Sequence, residues 1–507
     1  MTRVALVELP ALKLLDGDGM NWTALRRREP LGSKQILAAQ LADHGWEVSI
    51  VNLKAGDTEV EFGTVRWRSR DLAKVAIGRH WRELDASGAD LWGVTVNYLQ
   101  EREPAALVIG HLAAGGAKVV VGGSDAIADA EFYLRAGASA VVRDKSGAAN
   151  IGIMEYLLGR DPAGGLTGVS LPDGRSFPSR RPPMKPSQWP LPPDWAVRET
   201  LGTEYWEAPL PASLLPIGAV MLDLGCDRHC DFCQTPTYRI GYGATPVDGA
   251  TAWLAAQKAA GARSVIVLSD QFLGRVLRDG GRRNVLEIMR ACRDLGLAVL
   301  WGNGLELSKA TLGRGMPQGD PTPDDELVEA LWGWDGRNGC AQAYIPAERP
   351  VTGTSSYEKL LPWREHRALM RRIVETGVPD INYGVIVGLP EDSPATLAAL
   401  VDAVDALRTE LKSVNPSLKF RVTPYAIRPI PGTAQARDLA KADLIRFTDP
   451  AVVGGFWTAC ADTRHMSYAE VSDWQLKLVD TLNDPEPDWQ GITGLQESRG
   501  GRSPFGF

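Results

Sequence analysis

Cys226, Cys230 and Cys233 stand in the run Gly-Cys-Asp-Arg-His-Cys-Asp-Phe-Cys, a C-x3-C-x2-C spacing. Thiolates so spaced wrap one face of a metal centre, and three ligands on a short loop leave a fourth position open. Zinc is the alternative occupant. A closed zinc site needs a fourth protein ligand and usually draws ligand pairs from two hairpins, and His229, inside the loop, is a poor candidate. Cys292, Cys340 and Cys460 read as core thiols, since free cysteine is among the most buried residue types, although Cys340 opens a strand.

The elements that must position these thiols occupy a chain of 507 residues, 44% hydrophobic, long enough for two or three domains with buried cores. Six cysteines are too few for a disulfide scaffold. Lys and Arg number 55 against 62 Asp and Glu, a net charge of -7 with no basic block, which predicts neither a nucleic-acid nor an anionic-membrane surface and leaves a small-molecule partner. No apolar run approaches the roughly 18 residues of a membrane span, so the expected location is cytoplasmic.

Val4–Leu9, the helical stretch from Gly32 through Leu41, and Trp46–Leu53 read as β-α-β. Asp90–Val96, Glu103–Ala114, Ala117–Val121, Ala126–Ala136 and Ala138–Arg143 continue the alternation, which predicts a doubly wound parallel sheet over residues 1–155 with its ligand at the carboxyl ends of the strands. A Pro-rich linker over 156–215 is expected to wrap and pack, because Trp189, Trp195, Tyr205 and Trp206 would be costly to leave in water. From Ala219 six further strands follow, Ala219–Leu224, Arg263–Ser269, Ala298–Gly302, Ala341–Ile345, Asn382–Val387 and Lys419–Tyr425. They predict a partial (β/α)6 barrel over 216–435 with function gathered at the strand ends. Residues 436–507, with Trp457, Trp474 and Trp489, form a carboxyl-terminal extension whose periodicity gives no fold, taken here as a substrate domain.

With Phe232 just before the last cysteine, the loop resembles the signature of radical S-adenosylmethionine (SAM) enzymes. The resemblance implies that Cys226, Cys230 and Cys233 hold a [4Fe-4S] cluster whose open iron takes the amino and carboxylate groups of SAM. Gly384-Val385-Ile386-Val387-Gly388-Leu389-Pro390-Glu391 is similar to that family's G-x-I-x-G-x-x-E pattern on the fifth strand, where the backbone of Gly384, Ile386 and Gly388, closed by Glu391, lies against the adenine of SAM. Alone, it is also what an ordinary buried strand ending in a turn would show. The family's glycine-glycine-glutamate motif is replaced by Ser269-Asp270-Gln271, leaving Asp270 as the carboxylate for the SAM amino group or as a helix cap. Asn303, Glu306 and Glu348 are candidate contacts for ribose or substrate, set against a plain role at the barrel rim.

Val119 to Glu131, with Gly122, Gly123 and Ser124, resembles the cobalamin-binding domains that precede radical SAM barrels, where a glycine pair leaves room for the nucleotide tail of the corrinoid. A nucleotide-binding or response-regulator sheet is the alternative. No D-x-H-x-x-G motif is present, and Asp43-His44-Gly45 lacks its spacing, so Asn97, Tyr98, Leu99 and Gln100, at the end of the third strand, are where the lower face of cobalt should lie.

Together the modules resemble class B radical SAM methylases, and Gln234-Thr-Pro-Thr-Tyr238 looks closest to the tryptophan C2-methylases of thiopeptide biosynthesis. The implied activity is methyl transfer from SAM through cobalamin to a carbon of a small natural-product precursor such as tryptophan, with an electron donor such as flavodoxin or ferredoxin. Tyr344 and Tyr425 are the candidates for a catalytic partner near an indole nitrogen, against the alternative of barrel-filling aromatics. Arg421 and Arg428 could clamp a carboxylate or sit in surface salt bridges. A ring contraction or cyclisation with the same cofactors, and a non-catalytic metal or redox sensor, remain the alternative functions.

Overall fold

The computed structural model describes residues 1–205, 210–350 and 361–484; Trp206 and Trp489 lie outside the described residues. The first sheet runs Glu47–Asn52, Arg3–Glu8, Leu91–Thr95, Val119–Gly122, Ala140–Val142, all parallel, then an antiparallel pair of two-residue strands, Val169–Ser170 and Ser176–Phe177. The five parallel strands have the flavodoxin-like order 2-1-3-4-5, so the topological switch point falls between Arg3–Glu8 and Leu91–Thr95. Alternate residues serve opposite faces. Ala5 and Val7 pack with Val108, Ile109 and Leu112 of the helix Arg102–Ala114, while Val4 and Leu6 pack with Ala38 and Leu41 of the helix Gly32–Asp43. The helix expected over Ala126–Ala136 is two, Ser124–Ala128 and Ala130–Arg135. Asp129 breaks the first and caps the second by accepting the Phe132 amide at 3.2 Å.

The second sheet is six parallel strands in chain order, Ile217–Val220, Ser264–Val267, Ala298–Trp301, Gly339–Glu348, Asp380–Val387 and Lys419–Ala426, an open (β/α)6 half-barrel. The strand expected at Ala219–Leu224 is divided, because Asp223–Leu224 turns away to pair antiparallel with Gly243–Ala244. Helices cover the outer face. Ala219, Ile266, Leu300 and Ala341 share one cluster with Trp22, Trp67 and Trp457, which the half-barrel draws from both ends of the chain.

One of those tryptophans, Trp67, belongs to a feature without counterpart in the sequence reading. Ala11–Leu15, Arg70–Gly78 and Thr58–Trp67 form a three-stranded antiparallel sheet. It is fastened to the carboxyl-terminal segment: the Trp67 indole donates to Ala459 O at 3.0 Å, Lys74 meets Asp449 at 2.7 Å and Arg68 meets Asp473 at 2.7 Å. That segment carries the helices Ala434–Lys441, Pro450–Gly454 and Tyr468–Leu482. In the Pro-rich stretch Tyr205 is buried and Trp189 packs against the barrel core. No helix among the described residues is long and apolar enough to cross a membrane.

Candidate functional site

The cysteine loop leaves the half-barrel at its carboxyl end, pinned by carboxylates. Asp270 accepts the Gly225 amide at 2.7 Å, and Asp223 accepts the Gln271 amide at 2.8 Å. Burial pushes the Asp223 carboxyl up to about 7. Within the loop Asp227 holds Lys309 at 2.6 Å, and Arg228 forks onto Glu306 at 2.6 and 3.1 Å. Glu306 also accepts from Lys309, Gln271 and Ser308 at 2.9, 2.9 and 2.7 Å. So bonded, it braces the loop. Backbone amides of Arg228 and Thr235 lie 3.4 Å from the sulfurs of Cys226 and Cys233, contacts of the kind that would steady a metal-bound thiolate. Among the described residues no three His, Cys, Asp or Glu side chains gather around one point as a single metal ion requires.

On the fifth strand a Cβ at Gly384 would lie 2.3 Å from the Tyr344 hydroxyl and 2.7 Å from its ring, so the two strands approach only because this residue is glycine. The Gly388 and Leu389 amides donate to Asp392 at 2.8 and 2.9 Å. Glu391 points outward, its side chain 62% exposed and 3.3 Å from Arg464. Glu348, at the end of the fourth strand, is buried with φ 57. Tyr344 and Tyr425 meet edge to face with centroids 6.1 Å apart.

At the carboxyl end of Val119–Gly122 Gly123 takes φ 105, and a Cβ there would lie 2.2 Å from Val96 O; this close turn is what the glycine pair permits. Asn97 and Tyr98 amides donate to Glu101 at 3.0 and 3.2 Å. Lys145 donates to Ser124 at 2.9 Å and Asn97 at 3.3 Å, tying three loops together, and burial lowers its pKa although Asp270 opposes the shift. Beneath them Glu8 bridges Lys34 and Lys54 at 3.2 and 2.8 Å. Burial raises its pKa, but the two ammonium groups outweigh burial and hold the carboxyl near about 2.

These loops and the half-barrel enclose one cavity of about 680 Å³. From the first sheet it is lined by Asn97, Tyr98, Leu99, Gln100, Gly122, Gly123 and Ser124; from the barrel by Cys233, Asp270, Asn303 and Tyr425. Tyr344, Glu348, Gly384, Ile386, Gly388, Glu391, Cys226 and Cys230 do not line it. The sequence reading missed Glu8, Lys34, Lys54, Lys145 and the late residues Val453, Gly454 and Phe456, all lining residues. Only Lys145, next to the glycine-pair strand's neighbour, had a local signal to follow. Arg421 is paired with Asp380 in a buried ion pair at the amino end of its strand, away from the cavity, which corrects both the clamp and the surface salt bridge considered for it.

The chain thus sets a flavodoxin-like sheet facing the carboxyl end of an open six-stranded half-barrel, with a three-cysteine loop at the barrel's first strand, and it shares this fold with several solved structures. Among solved structures, the radical S-adenosylmethionine methyltransferase TsrM from Kitasatospora setae, with cobalamin and [4Fe-4S] cluster bound, matches with a TM-score of 0.62 at 16% identity over 96% of this chain and 90% of that one. TsrM with tryptophan substrate and the SAM analog aza-SAM bound gives 0.59 at 15% over 96% and 90%. The cobalamin-dependent S-adenosylmethionine radical enzyme OxsB, with aqua-cobalamin and S-adenosylmethionine bound, gives 0.63 at 13% over 93% of this chain and 66% of that one. Of curated proteins, a tRNA-2-methylthio-N(6)-dimethylallyladenosine synthase of Parafrankia sp. (strain EAN1pec) is 27% identical over 262 residues, 50% of this chain; the match covers 45% of that relative's length. No family model matches the sequence.

Proposed function

We propose that this protein is a cobalamin-dependent radical SAM methyltransferase acting on a carbon of a small natural-product precursor of the tryptophan type. The observation that carries this reading is a cavity lined both by Cys233 of the three-cysteine loop and by the Asn97–Gln100 and Gly122–Ser124 loops of the first sheet. The residues fit both groups. Three free thiols on one loop, two of them facing backbone amides, suit a [4Fe-4S] cluster with an open iron, and the cavity over the Asn97–Gln100 and Gly122–Ser124 loops at the carboxyl ends of the first sheet's strands suits a flat macrocycle. When bound, the cluster supplies an electron to SAM and the corrinoid supplies a methyl carrier.

The chain's own part is placement. Cys226, Cys230 and Cys233 would hold the cluster, and Asp270, at the cavity wall beside the loop, would face the SAM amino group; it caps no helix. The backbone from Gly384 to Gly388 would take the adenine. Trp189, Tyr205, Tyr425 and Phe456 line the cavity with apolar surface that keeps water from a reactive carbon centre. The reducing electron comes from a protein donor such as flavodoxin or ferredoxin.

The test is anaerobic reconstitution with iron, sulfide and hydroxocobalamin, then incubation with SAM, a strong reductant and L-tryptophan. Iron and cobalt bound together, with a product heavier by one methyl group, support the proposal. Cobalt and iron with a product of unchanged carbon count redirect it to rearrangement, and a colourless protein holding zinc overturns it.

A further inference from the structure

Resting on that reading, we propose that the substrate carries a carboxylate attached to a flat apolar body, and that Arg428 is the residue that anchors it. Arg428 follows the sixth barrel strand and is sunk in the protein, while the surface it retains opens on the cavity. Its Nη1 donates to Val453 O at 2.8 Å and its Nη2 to Phe456 O at 2.7 Å. These two bonds fix the plane of the guanidinium but bring no counter-charge, and two of its five N–H donors are so used. Among the described residues no Asp or Glu stands within ion-pair distance of it. Burial accordingly pulls its pKa below the usual range, with only the Cys460 thiol opposing. Buried arginines are otherwise paired, so a counter-ion from outside the chain is the natural partner.

The surroundings say what kind of anion. From Met184 onward the residues lining the cavity include two charged side chains, Asp270 and Arg428. Asp270, which holds the cysteine loop through Gly225, is the anion of the two, leaving Arg428 as the cation on the barrel side. Tyr425 and Phe456 flank it, edge to face with centroids 5.5 Å apart, and the backbone of Phe456 itself holds the guanidinium. The anion site and the aromatic wall are therefore adjacent, and the same cavity reaches Cys233 and Tyr98. A lone planar guanidinium suits one carboxylate, taken bidentately, with the apolar body of the ligand against the rings. Other anions could reach it from the corrinoid phosphate or the SAM carboxylate, and the test separates these.

Wild-type protein and the Arg428→Gln variant are titrated at equilibrium with L-tryptophan, indole-3-acetate and phenylacetate, each beside its primary amide, with cobalt content, iron content and SAM affinity measured on the same preparations. The expected result is that at least one acid binds wild type about tenfold or more tighter than its amide, that Arg428→Gln brings the pair to about equal affinity, and that cobalt, iron and SAM binding are unchanged. Acids and amides binding wild type alike, or a variant that keeps the preference, overturn the proposal. So does loss of cobalt or of SAM from the variant, which would assign Arg428 to a cofactor anion. The acid-to-amide comparison is read whether or not the cofactors load, so a wild-type protein without cobalt and iron defeats the methyltransferase reading separately.

Discussion

Arg349 and Asp392 form a buried two-pronged ion pair, Nη2 to Oδ1 at 2.6 Å and Nη1 to Oδ2 at 2.9 Å, and the same Asp392 oxygen accepts the Gly388 and Leu389 amides. The pair thus joins the end of the fourth strand to the turn after the fifth. Arg349 also donates to Ile386 O at 3.0 Å, so the glycine-bearing strand is held from both sides.

Removing one partner of a buried pair costs more than replacing both. Asp392→Ala should destabilise the protein by about 3–5 kcal/mol, while the double variant Arg349→Met with Asp392→Leu should recover part of that loss. Thermal melts of the two variants beside wild type decide it. A double variant melting below Asp392→Ala would show that the ion pair itself is needed.

Gly384→Ala places a methyl group where the Tyr344 hydroxyl and ring lie, at 2.3 and 2.7 Å. Tyr344 must move, at a cost of about 1–3 kcal/mol, and the strand face proposed for SAM shifts with it. SAM affinity should fall by roughly tenfold, and the double variant with Tyr344→Ala should regain most of it. Equal SAM dissociation constants for Gly384→Ala and wild type would place the nucleoside elsewhere.

Replacing Cys226, Cys230 or Cys233 by Ala should take iron from roughly four per chain to less than one, while cobalt stays at the wild-type level. Metal analysis of the reconstituted variants reads both at once. Iron retained by all three would move the cluster off this loop.

His366 is fully buried beside Tyr383, its Nε2 2.7 Å from the hydroxyl, and burial pulls its pKa from 6.5 to about 4. The unfolded chain therefore binds a proton between about pH 6.5 and 4 that the folded chain refuses. The stabilising contribution is complete above pH 6.5 and is lost as the pH falls toward 4, by about 3 kcal/mol in all. His366→Gln should flatten the decline in melting temperature between pH 7.5 and 4.5; a variant with an undiminished decline would assign the acid sensitivity to other groups.

The alternation of strands and helices was legible because buried strands such as Val119–Gly122 and Ala298–Trp301 are continuous apolar runs between helices. The thiol loop was legible because its information is local. The three-stranded sheet was not. Val60 and Phe62 begin an alternation, but a bulge between Glu61 and Gly63 shifts the register, so that Val65 and Trp67 continue out of step. Pairing also erased signal: Glu8, Lys34, Lys54 and Glu101 converge from four separate segments, and no spacing in the chain announces it. The side of the sheet on which Tyr344 or Tyr425 would serve could not be read either, since it depends on strand register and on which glycines lie opposite.

Because Trp67, Arg68 and Lys74 grip Ala459, Asp473 and Asp449, residues from the chain's first hundred are locked to those near its end. The halves are therefore not tethered modules free to swing apart on the proline-rich segment. On the proposed function, the same grip holds the two walls of the shared cavity together, and small molecules move between them. Fragments cut at residue 156 or 216 would each lose a wall of their own interior, and neither should survive alone.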